Sequence, residues 1–593
     1  MGSDRTGIGR RRRHAGPVAG LVAAAVGSSL WNLRGVLDEW STAVPTRLDN
    51  RFQAWVIHWV QGALMGEHPL YDAATFAPAH GTLTFSDHLI GLALVLLPLR
   101  WLGLSPAAVF NTAIVLGVVL DALAGYALGY VLVRRRSAAV VCGAVFALGP
   151  VPWLATMHLN LVWRPGLALV VALGWVLADR AGGRHRWPGL PGDRTLLAGL
   201  AAVVAWQGLV SFFYAVFVLI VAAVAVAVRW RDLGSGRWRV AGSVLVGTAL
   251  SAWSYVPYLT TRREQSGFEW ELEDVAFLRA APHIVEEANV VWGGWLGRPL
   301  FGPDGFHAFP GLVVIALVVA GLALARSWRR REGSGAVPLV GVGLALVGAM
   351  GALGPGWGRT TGWTPYALAF RFVPGFSAIR ASGRFVLIVL LGLAVVAAVA
   401  VAEVAARIED RDGGEREIRP AGRARIAGAL AALVVAGLVV EGAARPRDVT
   451  PAAPRPVDVA LAEADGPGGV VYLPVGFDGL GDFDAQEAFV VRSARHDRRI
   501  VNGFAGFYPE SARVLADRLT GLPDDVSLDC LAAHDIAFVV VTDRVGPHSP
   551  WADLLDPDAA GPLVLVGSFD GELLYRVPDR DVPAGTCPLP AVR

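Results

Sequence analysis

Two aspartates bracket one stretch of this chain, Asp49 in Leu-Asp-Asn-Arg-Phe-Gln-Ala-Trp and Asp87 in Phe-Ser-Asp-His-Leu-Ile-Gly. A carboxylate within hydrogen-bond reach of a hydroxyl can take its proton as a general base, and Asp49 is the first candidate for that role. The competing reading of Asp49 is a solvated loop residue. Asp87 and His88 lie where the chain turns back into an apolar run, and polar groups there are costly unless paired or facing a cavity. They could bind a polar ligand or a metal. Equally, Ser86 or Asp87 could cap the helix that follows. His68, Asp72 and His80 are weaker candidates. The Asp72–His80 spacing matches no recognised metal geometry, and the aspartates are not a contiguous Asp-x-Asp, so no metal ligand is assigned.

Arginine supplies the opposite charge. Arg371, Arg380 and Arg384 lie in Phe-Arg-Phe-Val-Pro-Gly-Phe-Ser-Ala-Ile-Arg-Ala-Ser-Gly-Arg-Phe, just before an apolar run. The planar guanidinium pairs with phosphate oxygens, and Arg380 and Arg384, four apart, would share a helical face. Snorkelling to lipid headgroups is the plainer alternative. His158 and Arg164, in Met-His-Leu-Asn-Leu-Val-Trp-Arg-Pro, read as a polar connector that could also face a ligand. Glu269, Glu271, Glu273 and Asp274 make an acidic, solvated face the default there. Trp270, Trp292 and Trp295 suit interfacial anchoring better than stacking on a ligand.

Long apolar runs must position these groups. The chain has 593 residues, 54% of them hydrophobic and 17% charged, with mean hydropathy +0.49, which indicates a polytopic membrane protein. A net charge of +2 gives no case for nucleic acid, and every basic residue is an arginine. Apolar runs near 17–37, 107–133, 138–150, 164–179, 195–208, 210–228, 240–258, 308–325, 337–354, 383–406 and 425–441 give about eleven spans, two of them short. Gln207 and Gly208 suggest a tight turn between two of them. The run 89–104 is ambiguous by length. If it does not cross, the arginine clusters at 10–13, 134–136, 180–194, 229–239, 326–331 and 407–425 all fall on one side, so it reads as re-entrant or interfacial. The arginine-rich N-terminus (1–16) is then cytoplasmic, and a signal peptide is the lesser reading. Segments 38–106, 151–163, 259–307 and 355–382, and the tail from 442, lie outside.

Beyond a Pro- and Arg-rich linker near Arg445, the tail (442–593) changes character. Strand-like runs fall at 470–473, 537–542, 563–568 and 573–577, and helical pattern at 510–519 and 528–533, which predicts a small α/β domain. Of the three cysteines, Cys142 falls in a span, while Cys530 and Cys587 could bridge in an oxidising compartment or remain thiols.

The stretch 48–91 resembles the first external loop of the GT-C class of integral-membrane glycosyltransferases. Arg-Phe-Val-Pro-Gly-Phe-Ser-Ala-Ile-Arg-Ala-Ser-Gly-Arg-Phe and Arg-Ile-Val-Asn-Gly-Phe-Ala-Gly-Phe-Tyr-Pro look like segments of uncharacterised bacterial membrane proteins of that architecture. The resemblance implies a GT-C-like domain over 17–441, in a bacterial cytoplasmic membrane. It implies transfer of a sugar from a polyprenyl-phosphate donor to an external glycan, lipid or protein acceptor, with inversion. Asp49 would act as base, with Asp87 as second catalytic candidate. His88, Arg371, Arg380, Arg384, His158 and Arg164 would be substrate contacts, and a divalent cofactor stays open. A transporter or flippase of lipid-linked saccharide, or a non-catalytic envelope-assembly protein, are the competing functions. The absence of an internal repeat counts modestly against transport.

Overall fold

The computed structural model describes residues 5–46, 49–154, 158–184, 189–264, 270–273, 275, 278–298, 306–356, 362–373, 375–410, 420–446, 449–477, 480–583 and 585–590. It divides into two compact units, one of 1–37, 112–253 and 270–447, the other of 38–111, 254–269 and 448–593.

The first unit is helical. Among the described residues six helices are long and apolar enough to cross a membrane: Pro106–Val133, Leu159–Ala181, Gly236–Glu264, Leu312–Glu332, Ser382–Asp410 and Gly422–Glu441. Three shorter apolar helices accompany them, Arg136–Ala147, Phe212–Val228 and Ala336–Ala352, while a fourth, Ile90–Trp101, belongs to the second unit. Val386–Asp410 sits at the centre and packs on Ala336–Ala352, Leu312–Glu332 and Arg136–Ala147. Small residues permit the close approach. A Cβ at Gly392 would stand 2.5 Å from the carbonyl oxygen of Gly341. Glu441 closes the start of Leu312–Glu332, accepting the backbone N–H of Leu312 (2.8 Å) and of Val313 (3.1 Å), where the helix end otherwise leaves donors unpaired.

One expected boundary moves. The break between the two helices of 195–228 falls at Ser211, whose backbone is extended, and not at Gln207–Gly208. Gln207 is buried inside Asp193–Val210. Its amide donates to the Trp163 carbonyl (2.8 Å) and accepts from the Gly166 N–H (2.9 Å), so a polar residue taken for a turn is an interhelical cross-link.

The second unit has a four-stranded mixed sheet in the tail. Its strands are β1 (Gly469–Leu473), β2 (Ile536–Val541), β3 (Val564–Phe569) and β4 (Glu572–Arg576), in the order β1-β2-β4-β3. β1 runs parallel to β2, and the other two pairs are antiparallel. β1 is buried throughout, as a parallel strand covered on both faces should be. β3 and β4 join through Asp570–Gly571, both at positive φ, the conformation a two-residue hairpin turn requires. Helices Glu510–Arg518 and Asp525–Ala533 stand where the sequence places them, and Leu480–Ser493 was not anticipated. Cys530 and Cys587 form a disulfide.

Chain 38–111 is built into this same unit. Phe76, Ala77 and Phe85 share one core with Val471, Leu473 and Val539. The Phe76 N–H donates to the Asn502 carbonyl (3.0 Å), and the Ala77 N–H to that of Ile500 (2.9 Å). Ala43–Val44 pairs antiparallel with Thr450–Pro451. Arg51, 4% exposed, donates to Glu487 (2.6 Å) and Asp484 (2.8 Å). Helix Ile90–Trp101 spans only about 18 Å at 1.5 Å per residue, short of a hydrocarbon core of about 30 Å. Its Leu94, Val95 and Trp101 are exposed, as is Leu102 just beyond it, which suits a helix lying along an interface.

Candidate functional site

His88 fixes the local geometry of the second unit. It is buried, and burial pushes its pKa down to about 3, so it is neutral. Its Nδ1 accepts the Ile90 N–H at 3.2 Å, which leaves the proton on Nε2, and Nε2 donates to the Ser254 hydroxyl at 3.0 Å. The imidazole therefore closes the start of Ile90–Trp101, a role for which Ser86 or Asp87 is the candidate by sequence. The correction follows from Leu89, the N-cap residue, which sits in the left-handed region at φ 48° and brings the His88 ring over the first helical N–H.

Tyrosines surround this imidazole. Tyr255 and Tyr258 rings lie 5.2 and 6.0 Å from that of His88. The Tyr258 hydroxyl donates to the Ser86 carbonyl (2.6 Å), and that of Tyr71 to the Ser254 carbonyl (2.7 Å). Burial pushes the Tyr71 phenol up to about 12, so it stays a donor at neutral pH. Asp87, half-buried, stands within electrostatic reach of the Tyr255 and Tyr258 hydroxyls. The result is a half-buried carboxylate beside a wall of aromatic rings, two of whose hydroxyls are fixed on backbone carbonyls. Sequence reading missed the tyrosines. Tyr-Val-Pro-Tyr at the end of an apolar run was the available signal.

Asp49 is the first residue of helix Asp49–Leu64 and is half-buried. Its helix is anchored by the buried Arg51 pair and by the Thr46 hydroxyl, which donates to the Asn50 side chain at 2.8 Å. Asp72 has a local duty: it accepts from the Gly81 N–H and faces His80, each at 3.2 Å. Among the described residues no group of three or more His, Cys, Asp or Glu could hold a metal ion.

The other candidates lie in the helical unit. The Arg384 guanidinium covers the Phe213 ring at 4.1 Å, and that of Arg380 covers the Trp270 ring at 4.9 Å. They do not share an α-helical face, because Arg380 precedes a 3-10 turn over Ser382–Phe385 and the α-helix begins at Val386. Arg371 is exposed and donates to the Gly362 carbonyl at 3.4 Å. Arg164 is not available as a substrate contact. It is 1% exposed, pairs with Asp121 (3.2 Å), and donates to the carbonyls of Leu161 (3.0 Å) and Phe146 (2.8 Å). Spacing along the chain does not reveal this pair, because Asp121 lies far from Arg164 within an apolar run. His158, half-buried, precedes the short helix Leu159–Val162. Glu269 and Asp274 lie outside the described residues.

Fold and site together define a polytopic helical membrane protein with a mixed α/β unit. The chain belongs to the family described as "Domain of unknown function (DUF6311)", whose model matches residues 34–411. No curated protein matches it. Among solved structures it is similar to the Archaeoglobus fulgidus oligosaccharyltransferase, at 13% identity and TM-score 0.47, over 96% of this chain and 75% of that one. It is also similar to ArnT from Cupriavidus metallidurans, at 13% identity and TM-score 0.48, over 95% and 98%. A third similarity is to the arabinofuranosyltransferase AftD from Mycobacteria, at 17% and 0.43, over 95% of this chain and 41% of that one.

Proposed function

We propose that the chain is a membrane glycosyltransferase that moves a sugar from a polyprenyl-phosphate carrier to an extracytoplasmic glycan, lipid or protein acceptor. The observation that carries this reading is the construction of 38–111. It is a folded part of a compact unit, and it presents Asp49 at a helix start and Asp87 against Tyr255, Tyr258 and the neutral His88. In the proposed reaction Asp49 takes the proton of the acceptor hydroxyl. The oxygen then attacks the anomeric carbon, and the carbon–oxygen bond to phosphate breaks. The phosphate leaves with the electron pair, and the configuration inverts. Asp87 and the tyrosine wall hold the sugar hydroxyls. Arg380 and Arg384 are assigned to the departing phosphate, where developing charge is best met by fixed cations.

The test is sugar transfer by reconstituted protein, supplied with radiolabelled polyprenyl-phosphate sugars and crude envelope acceptor. Asp49→Asn should lower the rate by about 10²–10⁴. Wild-type rates in Asp49→Asn with loss in Asp87→Asn would move the base to Asp87. Wild-type rates in both variants would overturn the site. Substrate movement without bond formation would turn the reading to transport.

A further inference from the structure

The two edges of the tail sheet are built differently. Chain 499–502 closes the outer side of β1. The Val470 N–H donates to the Arg499 carbonyl (2.8 Å), the Val501 N–H to that of Val470 (2.9 Å), and the Tyr472 N–H to the Asn502 side chain (2.8 Å). The outer side of β3 has no such cover. Among the described residues, no backbone group of 564–569 bonds beyond the sheet. Its side chains are open too. Val564, Leu565 and Val566 follow one another and are 57%, 41% and 49% exposed, whereas β1 and β2 are buried almost throughout. Successive side chains of a strand point to opposite faces, so Val564 and Leu565 leave apolar groups on both. An edge is ordinarily blunted by charge or proline within the strand. Val-Leu-Val-Gly-Ser-Phe has neither, and keeps only a bulge at Val566, which the pairing with β4 skips.

The acids beside this edge are unpaired. Asp570 follows β3 directly, in the hairpin turn. Asp556 and Asp558 lie on the chain that leads into β3, and Asp556 stands within electrostatic reach of the hydroxyl of Tyr575, the residue in register with Leu565. All three are exposed, and none has an arginine within ion-pair distance among the described residues. Arg576, in register with Val564, lies over the Phe538 ring of β2 at 6.0 Å.

We propose that β3 is a docking edge for an extended peptide segment with alternate apolar side chains and basic residues at its ends. The main chain of the segment fills the open donors and acceptors of β3, and its apolar side chains cover Val564, Leu565 and Val566. Its basic ends meet Asp570 at one end of the strand and Asp556 and Asp558 near the other. Six residues at about 3.4 Å each make an edge of about 20 Å, which a segment of equal length fills. Pairing of β3 with a second copy of itself is disfavoured, because it brings a second set of the same acids to the edge.

The experiment uses full-length protein in detergent and the labelled peptide Arg-Arg-Val-Thr-Val-Thr-Val-Thr-Arg-Arg, followed by fluorescence anisotropy and by exchange of the sheet amides. Wild type should bind it, with protection rising over 564–569 and not over β1. Two altered peptides separate the causes. One carries an N-methyl group on every inner amide, which keeps the charge and removes the donors. The other has glutamate in place of each arginine. Each should bind at least about tenfold more weakly. Val564→Lys/Val566→Lys puts like charge on the edge at exposed positions and should weaken binding about tenfold. Asp556→Asn/Asp558→Asn/Asp570→Asn should weaken it about fivefold and remove most of its salt dependence. Asparagine can still accept the N–H that Asp556 accepts, and it tolerates the φ of 47° at position 570. Val526→Lys, exposed on helix Asp525–Ala533, should change nothing. Equal binding of the N-methylated peptide, wild-type binding in the lysine variant, or no binding at millimolar peptide would each overturn the proposal. So would protection of the β3 amides that rises with protein concentration alone, which would give the edge to a second copy.

Discussion

Arg164 in the helical unit and Arg492 in the α/β unit are both buried, and the two units satisfy them differently. Arg164 has one carboxylate, Asp121, and completes its bonding with backbone carbonyls. Arg492 lies between two carboxylates, donating to Asp458 at 2.9 Å and to Glu572 at 2.7 Å, and its guanidinium covers the Tyr472 ring at 5.0 Å. Arg455 and Tyr472 join the same network through Glu572 (3.0 Å) and Asp458 (2.8 Å). A span offers few polar side chains, so a buried cation there takes one acid and uses the main chain for the rest. The α/β unit has acids to spare and builds a network that ties helix Pro456–Glu463, β1, helix Leu480–Ser493 and β4 together.

That difference has a sharp consequence for removal of the cation. Arg492→Met leaves Asp458 and Glu572 facing each other without it, and breaking a buried pair in this way costs about 3–5 kcal/mol. Arg164→Met leaves a single carboxyl, which can neutralise by taking up one proton, so its cost should fall at the lower end of that range. Thermal unfolding of the two purified variants, followed by exchange of the β1 amides and of the Val386–Asp410 amides, compares them. Equal losses would break the comparison.

The disulfide sharpens it. Cys530 and Cys587 close a loop with a sequence separation of 57 within the α/β unit, whereas the helical unit holds Cys142 as a buried thiol. Cys530→Ser/Cys587→Ser should destabilise the α/β unit by about 2–4 kcal/mol. Exchange in β1 and β2 should rise while Val386–Asp410 stays protected. A rise of equal size in both units would mean that they do not unfold separately.

The sequence made the helical unit legible through apolar length, and the tail sheet legible through short β-branched runs between turns. Both signals are local. What it hid was non-local. Phe76 and Phe85 read as loop aromatics, yet they fill a core whose other members lie some four hundred residues onward in the chain. Arg51 reads as a loop cation, and its partners Asp484 and Glu487 cannot be paired with it from spacing. Arg164 could be taken for a ligand contact because Asp121 sits in a run that otherwise looks purely apolar. The loop candidates Asp49, Asp87 and His88 stood out because polar residues beside an apolar run need a reason. Their neighbours Tyr71, Tyr255 and Tyr258 did not, because the chain brings them to His88 from two segments.

Acid should act on the α/β unit first. Burial holds three of its histidines below their ordinary range: His88 at about 3, and His58 and His496 at about 4. Arg100 and His68 depress His58 further, and Arg498 and Arg492 do the same to His496 against the pull of Asp458. The unfolded chain would protonate each near pH 6.5, so between 6.5 and about 4 it binds protons that the folded unit refuses. Their stabilising contribution is therefore complete above 6.5 and declines as pH falls, by up to about 1.4 kcal/mol per pH unit for a fully buried histidine. His58 and His496 are partly exposed, and solvent trims their share. Asp497, raised by burial, works in the opposite sense and softens the lower part of the slope. Hydrogen exchange at pH 5 and pH 7.5, corrected for intrinsic rates, should show β1, β2 and Ile90–Trp101 losing protection at the lower pH while Val386–Asp410 keeps it. His88→Gln should flatten part of that slope, since an amide does not titrate. A slope unchanged in His88→Gln would remove His88 from the account and leave the acid response to His58 and His496.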